Sequence, residues 1–291
     1  MHTPERIGAA LESNLEESYN SCIEVTKTRA ANFYYAFKVL PKERYRGICA
    51  LYAFSRIADD ISDDEADPVQ ALVKSKAWRN GFDAALAGDA RGHPILAAVA
   101  DTIKRYEIPP VYMHELITGT EMDAHTKRYE TWKDSYQYCY RVASVIGMMT
   151  IHVFGFTDPK AVGLAEKTGI AFQMTNILRD LVEDGKRDRI YLPLEDLREL
   201  GISESALLAA RNSPELRKLV KYEAERTKVY YAETKDLVPM IVPESRRALA
   251  VLVAIYRRLL DEIERRDYDV FSKRVSLSKA QKLKLVWEYL R

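Results

Sequence analysis

The sequence has few of the residues that interrupt helices and few that bind metals through sulfur. Its 291 residues include 12 glycines and 11 prolines, which do not cluster into a linker. Three scattered cysteines, Cys22, Cys49 and Cys139, are too few for a disulfide framework or a zinc site. Helix-forming residues dominate, whereas alternating β-branched residues are scarce. We therefore expect an all-α protein with a single domain over residues 1–291, in which residues 1–25 form a helix or an extension.

An excess of charge of one sign is also missing. The chain carries 44 lysines and arginines against 43 aspartates and glutamates, so no global field attracts nucleic acid. No glycine-rich phosphate loop is present, which argues against ATP or a dinucleotide as a ligand. The N-terminus lacks the apolar core of a signal peptide, and the longest nearly apolar stretch, residues 143–156, is too short to span a bilayer. The sequence predicts a cytoplasmic protein that could contact the inner face of a membrane only peripherally.

Helical periodicity is clear in four segments. Prolines mostly fall between such segments, where residues that cannot continue a helix are expected. In most of them apolar residues recur at spacings of three and four, which is the pattern of an amphipathic helix. The segments are residues 42–61, 131–153, 161–184 and 246–265.

The first of two acidic segments comes at the end of a mostly apolar stretch. On a helix Asp59 and Asp63 lie one turn apart on one face, and Asp60 and Asp64 do the same. Like charges at this spacing repel each other by roughly 0.2–0.5 kcal/mol per pair. A bound cation would replace this repulsion with a stabilising contact.

The second acidic segment also continues an apolar helix. Gln173, Asn176, Asp180 and Asp184 recur at helical spacing. They would form a column of oxygen ligands over about three turns.

Two columns of acidic side chains are suited to an enzyme that binds magnesium and releases diphosphate from its substrate. Magnesium prefers oxygen ligands and is commonly held by one or two carboxylates together with phosphate oxygens of a substrate. An arginine precedes the first aspartate of each segment, Arg56 and Arg179, and guanidinium groups can bind phosphate through two hydrogen bonds. A sugar hydrolase would need paired carboxylates but not a second column or arginines. The alternative is that both segments are solvated acidic faces, because single acidic pairs arise by chance.

Several further stretches give the sequence a family resemblance. From about Arg29 to the C-terminus it resembles the squalene and phytoene synthases, which join two prenyl diphosphates head to head. The matching stretches occur in the same order and are residues 35–37 with 40–41, 52–56 leading to 59, 119 with 122–123, 138–143 with 147, 176–180 with 183–184, 189–193, and 268–271. The resemblance implies an isoprenoid-synthase helical bundle with a central active-site cavity.

The resemblance also implies a cofactor and its ligands. Two or three Mg²⁺ ions would be held together with the diphosphate. NADPH is not expected, because the product would be released without reduction. The implied magnesium ligands are Asp59, Asp63, Asn176, Asp180 and Asp184.

Substrate contacts are implied for a further set of side chains. The implied catalytic residues are Tyr52, Arg56, Tyr138 and Arg179, of which Tyr138 would face the reacting carbons. The implied contacts to the diphosphate or the allylic head are Tyr52, Arg56, Gln173, Arg179, Tyr256 and Arg274. A serine-rich run found in many family members is replaced by residues 29–33, where Arg29 and Asn32 can still bind phosphate.

The favoured interpretation is a magnesium-dependent condensation of two farnesyl diphosphates to presqualene diphosphate or a dehydrosqualene-type product. Residues 268–271 and 32–33 resemble bacterial members of hopanoid pathways, which is the reason for favouring farnesyl. Three alternatives stay open: a phytoene synthase using geranylgeranyl diphosphate, an enzyme that converts presqualene diphosphate onward, and a non-catalytic assembly factor. The prenyl diphosphate is the expected partner, a peripheral membrane contact could assist product release, and no oligomeric state is predicted.

Overall fold

The computed structural model describes residues 4–30, 36–63, 65 and 67–290. In the first half of the chain these residues form helices connected by short segments. The helices are α1 (Pro4–Arg29), α2 (Lys42–Asp63), α3 (Pro68–Leu86), α4 (Leu96–Arg105) and α5 (Val111–His125).

The second half contains the longest helix of the described residues and two short strands. It comprises β1 (Arg128–Tyr129), α6 (Trp132–Cys139), a π-helical turn (Tyr140–Ser144), α7 (Val145–Phe154), α8 (Lys160–Lys186), β2 (Ile190–Pro193), α9 (Leu194–Glu199) and α10 (Glu204–Leu208). After these come α11 (Pro214–Glu233), a 3₁₀ turn (Thr234–Asp236), α12 (Leu237–Met240), α13 (Pro243–Arg265) and α14 (Lys279–Leu290). The two strands pair in parallel, which the sequence did not indicate.

The predicted all-α fold class is confirmed, and three of the predicted helices are observed with small extensions. Residues 42–61 lie in α2, residues 161–184 lie in α8, and residues 246–265 lie in α13. The extension of α13 begins at Pro243. Proline is favoured at the first helical position because its missing N–H would have no partner there.

The fourth predicted helix, residues 131–153, is interrupted by the π turn at Tyr140–Ser144. The interruption coincides with a close approach to α8, where a Cβ atom on Gly169 would lie 2.6 Å from Ser144 N. The Ser144 hydroxyl donates to the main-chain oxygen of Glu166 at 2.7 Å. A π turn inserts an extra residue into a helix. The two halves of the segment therefore present different faces from those of one continuous α-helix.

Helix α8 lies within the helical core and positions the second acidic segment. It packs against α7, the π turn and α11, and Ala171, Met174 and Ile177 are among its buried residues. One cluster of buried apolar side chains extends from Tyr19 in α1 to Leu277 before α14. Across the ranges that the structure describes, no helix is both long enough and apolar enough to cross a membrane.

Candidate active site

A cavity of about 310 Å³ lies among helices α2, α7, α8 and α13. Its polar lining residues include Arg56 and Asp59 from α2 and Gln173 and Asn176 from α8. Its apolar lining includes Ile48, Leu51, Ile146, Ile151, Leu249 and Leu252. On α2 the polar residues follow Ile48 and Leu51 along the chain. On α8 they follow Ala165 and Phe172, which also line the cavity. The cavity therefore has a polar end and an apolar end.

The first acidic segment brings Arg56 and Asp59 to the cavity wall. The Arg56 guanidinium is ion-paired with Asp60, one turn further along α2. Arg29, the last residue of α1, lies 3.8 Å from the same carboxylate. Asp60 therefore holds two arginines close to the polar end of the cavity.

The side-chain oxygen of Asn176 is an unusual polar atom at this end. It is buried, and no hydrogen-bond donor among the described residues contacts it. The Asn176 side-chain nitrogen donates to Gln173 Oε1 at 3.4 Å, and the Asn176 side chain also hydrogen-bonds the Tyr256 hydroxyl. A buried acceptor without a partner costs about 1–3 kcal/mol. A cation or a ligand donor in the cavity would satisfy the Asn176 oxygen.

Asp180 is paired with two arginines from different parts of the chain. Arg179 Nε donates to Asp180 Oδ1 at 2.8 Å, and Arg274 Nε donates to the same oxygen at 2.8 Å. The structure thus brings these three predicted site residues together. Because Asp180 follows Asn176 by one helical turn, the ion-paired cluster lies next to the polar end of the cavity.

Asp184 is the last member of the second acidic column. Burial raises the pKa of Asp184 to about 7, and the negative charges of Asp180 and Asp123 act in the same direction. Arg189 and Arg187 act against this shift. The carboxyl group therefore titrates close to neutral pH, and a nearby divalent cation would favour its ionised form.

Aromatic side chains complete the wall near the polar residues. Phe172 and Tyr256 both line the cavity, and their rings stack with centroids 4.1 Å apart and an interplanar angle of 8°. Tyr52, also in the lining, lies on α2 one turn before Arg56. Burial raises the pKa of Tyr52 to about 12 and also raises that of Tyr256. Both phenols are therefore neutral at physiological pH.

The structure places Tyr138 outside the lining of the cavity. Its side chain is 4% exposed, its ring stacks on Tyr191 with centroids 4.6 Å apart, and its hydroxyl donates to Asp123 at 3.3 Å. The π turn that follows Tyr138 contains the lining residues Val142 and Ala143. Asp123 and Tyr191 belong to stretches that resemble the family, but no spacing in the sequence indicated that they contact Tyr138.

The side chains that could hold Mg²⁺ come from both acidic segments. Asp59 lines the cavity, Asn176 has a buried oxygen without a donor, and Asp184 would be kept ionised by a cation. Among the residues described, no three His, Cys, Asp or Glu side chains form a metal site on their own. This donor set fits Mg²⁺, which takes several ligands from substrate phosphates and water. The Asp63 side chain and the whole of Asn32 lie outside the described residues, so their roles stay predictions.

The chain is similar in sequence and in fold to known proteins. The family model for squalene/phytoene synthase matches residues 26–281. Phytoene synthase 1 (chloroplastic) from Arabidopsis thaliana is 34% identical over 282 residues, which are 93% of this chain and 65% of that protein. The 15-cis-phytoene synthase of Synechococcus elongatus is 32% identical over 292 residues, which cover 96% of this chain and 94% of that one. A crystal structure of a dehydrosqualene synthase in complex with a ligand matches with a TM-score of 0.87 and 29% identity, over 96% of this chain and 98% of that chain.

Proposed function

Because the chain belongs to the squalene/phytoene synthase family, whose members are prenyltransferases, we propose that it joins two geranylgeranyl diphosphates head to head to give phytoene. The two sequence relatives described above are phytoene synthases, and they support this substrate over the farnesyl diphosphate that the sequence motifs favour. Farnesyl diphosphate is the second candidate, because the chain also resembles a dehydrosqualene synthase over nearly its whole length.

The cavity is the observation that carries this proposal. Its polar end holds Arg56, Asp59 and Asn176, whereas most of its wall is apolar. A prenyl diphosphate has the same division, since a highly charged head is joined to a long hydrocarbon tail. The charged head is expected to bind at the polar end, with the tail against the apolar side chains of α2, α7 and α13.

Three arginines would bind the diphosphate groups. In the structure Arg56 is paired with Asp60, and Arg179 and Arg274 are paired with Asp180. Exchanging a carboxylate for a diphosphate keeps each guanidinium group in contact with anionic oxygens, often through two hydrogen bonds at once. The same exchange would release the carboxylates for a cation.

Mg²⁺ would be held by side chains of both segments: Asp59, Asp63, Asn176, Asp180 and Asp184. When bound, the ions neutralise the charge that develops on the leaving diphosphate as its bond to carbon breaks. The protein's contribution is to present oxygen ligands from two rigid helices at one end of an otherwise apolar cavity. This placement confines the departing diphosphate to the polar end.

The cavity wall would protect the allylic cation that remains after diphosphate departs. Aromatic faces such as those of Phe172 and Tyr256 attract a cation by about 0.5–2 kcal/mol. Apolar side chains exclude water, which would otherwise capture the cation as an alcohol. Because their phenols are neutral, Tyr52 and Tyr256 would not compete with the second prenyl group as anionic nucleophiles.

The stoichiometry of the reaction distinguishes the candidate products. Joining two prenyl diphosphates into phytoene or dehydrosqualene releases two diphosphates and two protons, without a reductant. Stopping at a cyclopropyl diphosphate, such as presqualene diphosphate, releases one diphosphate and one proton. The ratio of diphosphate to lipid product therefore reports where the reaction ends.

The proposal is tested by incubating the protein with Mg²⁺ and either geranylgeranyl or farnesyl diphosphate. Mass spectrometry of the extracted lipid is combined with an assay of released diphosphate. We expect phytoene and two diphosphates per hydrocarbon. A product from farnesyl diphosphate alone would favour the second candidate, and no diphosphate release from either substrate by folded protein would refute both.

Two matched substitutions test whether the second acidic segment carries the activity. Asp180→Asn should lower the rate at least about 100-fold, because it weakens electrostatic stabilisation of the leaving group. Asp188→Asn is the control: Asp188 follows the end of α8 and pairs with Arg128 on the surface at 2.6 Å. Equal activity of the two variants would contradict the assignment of Asp180.

A further inference from the structure

Asp123 has a half-buried carboxylate that lies outside the cavity lining and accepts hydrogen bonds from two tyrosine hydroxyls. Tyr191 donates to Asp123 Oδ1 at 2.7 Å, and Tyr138 donates to Asp123 Oδ2 at 3.3 Å. Both tyrosines are nearly inaccessible to solvent, and their rings stack on each other at an interplanar angle of 18°. Hydrogen bonds from hydroxyl donors stabilise an ionised carboxylate. The three side chains therefore hold a negative charge in one position, between α5, α6 and β2.

Arg189 links the residue that carries this charge to the end of the second acidic column. The Arg189 guanidinium Nη2 donates to the main-chain oxygen of Asp123 at 3.0 Å. The main-chain N–H of the same arginine donates to the main-chain oxygen of Asp184 at 3.0 Å. Arg189 Nη1 also donates to the Tyr191 hydroxyl at 3.4 Å, so Tyr191 connects this arginine to the Asp123 carboxylate.

We propose that Asp123 is a positioning residue that strengthens divalent-cation binding at the Asp180–Asp184 end of α8. This inference rests on the proposed function. Tyr138 and Tyr191 hold its carboxylate, and Arg189 links its main chain to the main chain of Asp184. Carboxylates behind the direct ligands of a metal orient those ligands and add to the negative potential at the ion. Loss of such a group typically lowers metal affinity about 10–100-fold.

A third tyrosine of the same cluster offers a matched control. Tyr129 is 2% exposed and its ring lies 5.3 Å from that of Tyr138 and 5.9 Å from that of Tyr191, measured between centroids. Its hydroxyl is buried without a hydrogen-bond partner among the described residues. Tyr129→Phe therefore removes a buried hydroxyl from the cluster without removing a hydrogen bond to Asp123. Tyr191→Phe makes the same chemical change but removes the bond to Asp123, together with the weaker bond that the Tyr191 hydroxyl accepts from Arg189 at 3.4 Å.

The experiment measures Mn²⁺ binding to the full chain by electron paramagnetic resonance, in the presence of inorganic diphosphate and without a prenyl substrate. We expect Asp123→Asn to weaken Mn²⁺ binding about 10–100-fold. Tyr191→Phe should weaken it several-fold, and Tyr129→Phe should leave it unchanged. Circular dichroism establishes which variants are folded. If Asp123→Asn does not fold, the comparison of Tyr191→Phe with Tyr129→Phe decides.

Several outcomes would overturn this inference. If Tyr191→Phe and folded Asp123→Asn bind Mn²⁺ as tightly as the wild type, Asp123 has only a structural role. Equal losses in Tyr191→Phe and Tyr129→Phe would show that general packing of the cluster, not the bond to Asp123, controls the affinity. If the wild type makes hydrocarbon and the variants bind Mn²⁺ normally, this inference is refuted but the proposed function is not. Failure of the proposed function is distinct: the variants would differ in Mn²⁺ binding, but the wild type would form no product.

Discussion

Gly169→Ala should separate the geometry of the cavity from the stability of the fold. Gly169 lies on α8 one turn before Gln173, where α8 crosses the π turn backbone to backbone. A Cβ atom at this position would lie 2.6 Å from Ser144 N and 2.8 Å from the carbonyl carbon of Ala143. Both neighbours are main-chain atoms, which cannot rotate away as the end of a side chain can. The substitution must therefore push α8 and the π turn apart.

The size of this displacement follows from the contact distances. Ordinary contacts of a Cβ atom begin at 3.4 Å, so the separation must grow by about 1 Å. Over-packing of this kind costs about 1–3 kcal/mol. The higher helix propensity of alanine offsets about 1 kcal/mol of that cost. The free energy of unfolding should therefore fall by about 0–2 kcal/mol, and Tm by no more than about 8 °C.

Activity should fall further than stability. Gln173 and Asn176 lie one and two turns further along α8 and would move with it, whereas Arg56 and Asp59 on α2 would not. A misplacement of about 1 Å between groups that act together can lower a rate about 100-fold. In the diphosphate-release assay we therefore expect kcat of Gly169→Ala to fall about 100-fold.

Gly163→Ala is the matched control on the same helix. Apart from the neighbouring backbone of α8 itself, no atom of the described residues lies within 4 Å of a Cβ atom placed at position 163. This variant should keep the wild-type kcat and gain up to about 1 kcal/mol in stability. The reasoning is refuted if Gly169→Ala keeps the wild-type kcat and Tm, or if its kcat falls no further than that of Gly163→Ala.

Three further predictions concern charged groups. Burial raises the pKa of Asp184 to about 7, and as a proposed Mg²⁺ ligand it would have to lose this proton, so the Mg²⁺ concentration for half-maximal activity should rise about tenfold per pH unit below pH 7. A half-maximal Mg²⁺ concentration that stays constant between about pH 5.5 and 8 would contradict this prediction. Arg274→Gln removes one of two arginines paired with Asp180 and should raise KM for the prenyl diphosphate about tenfold. Its Tm should hardly change, because the Arg274 side chain is 47% exposed; a large fall in Tm with unchanged KM would indicate a structural role. Burial raises the pKa of Glu223, beside Arg226, from 4.5 to about 8, so the folded state holds this proton more tightly than the unfolded state does. Stability should therefore fall by up to a few kcal/mol as the pH rises from about 5 to 8, and thermal unfolding of Glu223→Gln should lack that decrease.

The helices and the two acidic segments could be predicted because the information for them is local. Apolar residues at spacings of three and four, with prolines between the segments, predict α8 and α13 without reference to the rest of the chain. The spacing of Gln173 and Asn176 puts both side chains near one face of α8. Both do line the cavity, as do Arg56 and Asp59 on the other side.

Contacts between distant residues could not be predicted in this way. The bond from Arg274 to Asp180 joins residues 94 positions apart and depends on the path of the segment between α13 and α14. The location of Tyr138 depends on the π turn that follows it. That turn lies against Gly169, which is more than 20 residues further along the chain. Helix propensity and periodicity contain no information about such an approach, so one continuous helix was the expected result.

Under the proposed function, the arginine–aspartate pairs would make the binding of cation and diphosphate mutually dependent. A cation that arrives alone at Asp180 meets a carboxylate already neutralised by Arg179 and Arg274. A diphosphate that arrives alone draws these arginines away and leaves a partly buried carboxylate without a counter-charge, which is costly. When both bind, each guanidinium would exchange a carboxylate for a phosphate oxygen, and each carboxylate would exchange an arginine for a cation. The same argument applies to Arg56 and Asp60 on α2. The site would therefore favour the complete complex over either ligand alone, so that a prenyl group would ionise only where its leaving group is already neutralised.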